Sequence, residues 1–73
     1  MLDRAALLSI RRSFQGLAPS AHTQMGRRAI ASAIRYAHRA DMADFVAEKA
    51  AVARGHLPFA IELDARLRAA GRA

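Results

Sequence analysis

Apolar side chains along this chain recur at three- and four-residue intervals, the spacing of one face of a helix, and no useful stretch alternates with period two. Leu7, Ile10, Phe14 and Leu17 form the first stripe, predicting a helix over about residues 2–15 with Asp3 in its first turn. Gly16 is a natural stop, Pro19 forbids simple continuation, and Ser20 is suited to cap the next helix.

That second helix is predicted over about residues 20–40. Projected at about 100° per residue, Arg27, Arg28, Arg35 and Arg39 share one half of its circumference with Gln24 and Ser32. The other half carries Met25, Ile30, Ile34 and Tyr36 among small residues such as Gly26, Ala29 and Ala33, so another helix is able to approach closely.

A third helix over about residues 42–54 gathers Met42, Phe45, Val46, Val52 and Ala53, with Asp44 and Glu48 opposite. Asp41 is its expected cap, continuation from the second helix being the alternative, and Gly55 its expected end. Leu57-Pro58 then opens a fourth segment, about 58–70, with the stripe Phe59, Leu63, Leu67 and Ala70. Glu62/Arg66 and Asp64/Arg68 stand four residues apart on it, and Gly71 closes it. The pattern predicts an all-α fold, a compact bundle of three or four short helices, with residues 1–73 as a single domain.

Composition narrows this picture. A chain of 73 residues, nineteen of them alanine, builds a thin core. With no cysteine, disulfides and thiolate metal sites are excluded. No apolar run approaches the roughly 20 residues of a membrane span. Asp3, Arg4, Arg11 and Arg12 interrupt the first segment, unlike the core of a signal peptide. A soluble, cytoplasmic protein is expected.

The charge is placed unevenly. The net charge is +6, and residues 1–40 carry all of the excess, while five cations balance five acids in residues 41–73. An anionic partner is implied.

Candidate chemistry is sparse. His22, His38 and His56 show no metal-ligand spacing, the acids suit helix ends and surface pairs, and there is no glycine-rich phosphate loop. No enzyme activity, catalytic residue, metal or cofactor is expected. A helix-turn-helix finds Ala51, Gly55 and Ile61 in its favour, but Arg54, His56 and Asp64 fall where apolar residues belong.

The stronger candidate is the arginine face. Arg28, Arg35 and Arg39 fall within about 40° of arc, Arg27 flanks them, and Arg11 and Arg12 extend the set. These six form the expected partner-binding site, contacting either phosphates or an acidic protein surface. The plainer alternative is a solvated face partly paired with Asp41, Asp44 and Glu48. Leu8, Ile61 and Tyr36 are candidate apolar anchors, with Tyr36 favoured as core.

From "MLDRAALLSIRRSF" to "LDARLRAAGRA", the whole chain resembles the small phage-encoded regulators that bind host RNA polymerase, in size and in its Arg/Ala-rich, helical, cysteine-free character. The resemblance implies binding near the N-terminus of the polymerase β′ subunit, hindered promoter opening or σ retention, and antitermination at the RNA exit channel with NusA. The expectation is therefore a non-enzymatic transcription regulator. Its alternative is a small basic DNA-binding protein, helix-turn-helix-like or bound to the phosphate backbone.

Overall fold

The computed structural model describes residues 2–72. Three helices follow one another: α1 (Arg4–Ser13), α2 (Ala21–Tyr36) and α3 (Ala43–Arg72). A single 3-10 turn, Ala40–Met42, leads into α3, and no strand occurs among the described residues. The all-α class is the one the periodicity predicts, and three helices fall within the expected three or four, with the third and fourth segments joined into one.

Local chemistry sets the starts of the first two helices. Asp3 caps α1, its carboxylate accepting the Ala6 N–H at 2.8 Å. Ser20 caps α2, its Oγ accepting the Thr23 N–H at 3.1 Å. Gly16 turns the chain between them with φ +77°, a conformation that glycine adopts without penalty. At the other end α2 stops at Tyr36, earlier than expected. Asp41 does not cap α3 but lies within the 3-10 turn, where it receives Arg39 through Nε at 3.2 Å and Nη2 at 2.8 Å.

The main departure from expectation is α3, a single 30-residue helix that runs through Gly55 and Pro58. Pro58 removes one N–H that would bond the Arg54 carbonyl, at a cost of about 3 kcal/mol in a helix interior. Both residues are exposed, so water is able to serve that carbonyl. Packing on both flanks holds the helix together, because Val46, Ala50, Ala53 and Ala60 are buried and Leu57 packs against them. At about 1.5 Å per residue α3 is about 45 Å long. It accounts for the 50 × 18 × 16 Å envelope.

The helices α2 and α3 run antiparallel, with Tyr36 edge-on to Phe45 at one end and His22 stacked on Phe59 at the other. The seam is built from small residues: Ala29 and Ala33 on α2, Ala50, Ala53 and Ala60 on α3. On α3 the buried positions step by four and three, a heptad-like pattern suited to close helix pairing. This phase differs from the stripe expected on the fourth segment. Ala60 is fully buried, whereas Phe59 and Leu67 are exposed.

The first helix lies along one side of this pair. Leu7 and Phe14 are fully buried, as is Ile30 of α2. The Phe14 ring occupies the space a side chain at position 26 would need: a Cβ built on Gly26 falls inside the envelope of ring atoms Cζ and Cε1, and 3.2 Å from Cε2.

The segment joining α1 to α2 is stitched down by side chains. Asp64 Oδ1 accepts the Ala18 N–H at 2.8 Å, and the Ala18 carbonyl accepts Thr23 Oγ1 at 3.0 Å. Arg68 Nη2 donates to the Gly16 carbonyl at 3.0 Å, and Arg27 Nη2 to the Phe14 carbonyl at 3.1 Å. Among the described residues no buried side-chain nitrogen or oxygen lacks a hydrogen-bond partner.

Candidate interaction surface

The six arginines do not form one ridge. All are exposed, but the fold divides them. Arg11 and Arg12 occupy the last turn of α1, where they complement the helix dipole. Arg27 faces α1 and holds its C-terminal carbonyl at Phe14. Arg39 lies beyond the end of α2 and is paired with Asp41, so it leaves the 40° arc that a longer helix would have given it.

Arg28 and Arg35 remain together, two turns or about 10 Å apart along α2. Both line a hollow with Ser32, Tyr36 and Phe45, and Arg28 continues into a second hollow with Met25, Ser32, Lys49 and Val52. Sharing Arg28 and Ser32, the two hollows form one shallow groove between α2 and α3, on the side of the pair away from Arg27 and the docked Phe14.

Helical phase explains what lines this groove. On α2, residues 22, 25, 29, 32 and 36 step by three and four, giving His22, Met25, Ala29, Ser32 and Tyr36 on one face. On α3, residues 45, 49, 52, 56 and 59 step by four and three, giving Phe45, Lys49, Val52, His56 and Phe59. These stripes meet across the pair at Tyr36 against Phe45 and at His22 against Phe59 and His56, and between those contacts Met25 and Val52 stay open to water.

Several large apolar residues on that side meet water, with Met25 52%, Val52 40% and Phe59 54% exposed. The groove is closed at its ends by Tyr36 against Phe45 and by His22 against Phe59. His22 Nδ1 also lies 3.0 Å from His56 Nδ1, so one ring donates an N–H to the lone pair of the other.

The electrostatics of the groove are one-sided. The three ion pairs found among the described residues are Arg39–Asp41, Arg66–Glu62 and Arg68–Asp64, and none involves Arg28, Arg35 or Lys49. Lys49 Nζ stands 5.5 Å from the centroid of the Phe45 ring, a cation–π distance. Both i,i+4 pairs expected on the last segment are present, and Asp64 does more than pair. The hydrogen bond from Arg68 and that from the Ala18 N–H hold its carboxyl below the ordinary value of 3.8, against a smaller opposing effect of burial.

Sequence patterns missed Lys49, Met25, Val52 and Phe59 as surface residues. The last three read as core because each helix was phased alone. For Val52 and Phe59 the signal is the heptad register of α3, visible only if residues 43–72 are taken as one helix, whereas Met25 on α2 carries no such signal. Of the proposed anchors, Ile61 is exposed while Leu8 and Tyr36 are half-buried. The helix-turn-helix fails at its turn, since Ala51, Gly55 and Ile61 lie on one uninterrupted helix.

A further hollow lies near the 3-10 turn, walled by Leu2, Val46 and alanine methyls. Its one charged wall residue, Arg39, is tied to Asp41. Among the described residues no group of three or more His, Asp or Glu side chains is placed to hold a metal, and no helix is long and apolar enough to cross a membrane.

Fold and surface together define a small all-α protein whose three-helix bundle leaves one basic, partly apolar groove open. No family model, curated protein or solved structure matches the chain.

Proposed function

We propose that the chain is a non-enzymatic regulator that binds an acidic surface of a larger protein, and that the partner is bacterial RNA polymerase, engaged near the N-terminus of β′ with NusA as a further component in the host cytoplasm. The observation that carries the binding function is the cluster of Arg28, Arg35 and Lys49 on one face without acidic partners among the described residues. Cations placed beside exposed apolar side chains suit a protein interface, where Arg is enriched and apolar anchors supply most of the binding energy. The choice of polymerase rests on the resemblance of the whole chain to the phage-encoded regulators.

The rival reading is a phosphate-backbone contact to DNA through the same cations. Binding of purified bacterial RNA polymerase to the immobilised chain separates the two. The polymerase is expected to bind, and Arg28→Glu/Arg35→Glu/Lys49→Glu to weaken it about tenfold or more, while Arg66→Glu leaves it unchanged. No retention of polymerase at moderate salt, alongside salt-sensitive binding of duplex DNA, would replace this reading with the DNA one.

A further inference from the structure

We propose, resting on the reading of the basic face as a protein-binding surface, that the groove between α2 and α3 receives an acidic amphipathic helix of the partner as the fourth helix of the bundle. Helix α1 fills one side of the antiparallel pair through Phe14, and on the opposite side none of the described residues is laid over the stripes, where Met25 and Val52 are exposed. Stripes stepping by three and four residues on both walls are what a helix needs to seat its own side chains as knobs. An extended strand would find no unpaired backbone edge here, because both walls are helices.

The size of the groove fits. From Met25 to Tyr36 the wall on α2 is eleven residues long, about 17 Å at the helical rise, which matches about three turns of a docked helix. Met25 and Val52 line the same hollow and are half exposed, so a helix laid there removes apolar surface from water.

Charge selects the occupant. Arg28 and Arg35 rim the groove along α2, and Lys49 stands within it. Asp44 and Glu48, each one residue before a lining residue, are exposed acids on the α3 side. An acidic helix is thus attracted along the α2 rim, whereas a second copy of this chain brings a net charge of +6 against another +6.

The test pans a display library of random 16-residue peptides on the full chain. The Met25→Glu/Val52→Glu variant, whose two positions are exposed, serves as the counter-target, and circular dichroism verifies its helicity. Enriched peptides are expected to be acidic, to carry apolar residues at i, i+3 or i+4, and i+7, and to bind the variant about tenfold more weakly or worse.

Acidic peptides without an apolar stripe that bind variant and wild type alike would overturn the groove while leaving the basic face intact. A library that yields no acidic binder, in a protein that also fails to retain polymerase, would overturn both. Sedimentation velocity covers the remaining occupant: a dimer dissociated by the same double substitution would assign the groove to a second copy and overturn the proposal.

Discussion

Replacing Gly26 by alanine is expected to destabilise this protein, although Gly→Ala inside a helix ordinarily stabilises by about 1 kcal/mol. The added methyl falls within the envelope of the Phe14 ring, which is fully buried and has no free direction in which to swing. Relieving the overlap means shifting α1 against the α2–α3 pair, and overpacking of this kind costs about 1–3 kcal/mol. The enclosure of the ring argues for the upper end, leaving a net loss of about 2 kcal/mol once the helix-propensity gain is subtracted. In a domain of this size that lowers Tm by about 8–16 °C.

Thermal unfolding followed by circular dichroism at 222 nm reads the effect, and two companions isolate its cause. Gly55→Ala has nothing within 4 Å of the new methyl and lies exposed on α3, so it is expected to raise Tm. Phe14→Leu/Gly26→Ala is expected to be more stable than the sum of its single changes by about 1–2 kcal/mol, because the smaller side chain vacates the space the methyl needs. A Gly26→Ala protein as stable as wild type, or strict additivity in the double variant, would refute the seating of Phe14 on Gly26 and with it the docking of α1.

Two further outcomes follow from α3 and its anchors. Pro58→Ala restores the missing N–H within a continuous helix and is expected to raise stability by about 1–3 kcal/mol in urea unfolding; a loss of stability would mean that the helix breaks at this point. Asp64 has a folded carboxyl pKa below 3.8, so its stabilising contribution is complete above that value and is lost as pH falls through the lower folded one. The Tm difference between wild type and Asp64→Asn is therefore expected to hold steady from pH 7 to about pH 4 and to narrow below it; a constant difference down to pH 2 would show that the Arg68 and Ala18 contacts do not depend on ionisation.

The sequence by itself determined what neighbours along the chain determine. Helix periodicity, the Ser20 cap, the Gly16 turn and the two i,i+4 pairs on the last segment all rest on groups within a few residues of one another, and each stands in the fold as its chemistry requires. The arginine face was legible in part for the same reason, since Arg28 and Arg35 share a helix.

What crosses between helices was decided by the tertiary structure alone. Gly55 and Pro58 are local signals for a break, and packing of Ala53, Leu57 and Ala60 against α2 outweighs them. That one continuous helix then rephases its stripe, burying Ala60 and exposing Phe59, which the pattern of the last segment taken alone places on the buried side. Arg27 and Arg39 left the basic face because their partners, the Phe14 carbonyl and Asp41, lie off the helix, while Lys49 joined it from α3. Charge and periodicity are properties of a segment; which charges remain unpaired, and which apolar stripe remains uncovered, depends on what the rest of the chain packs against it.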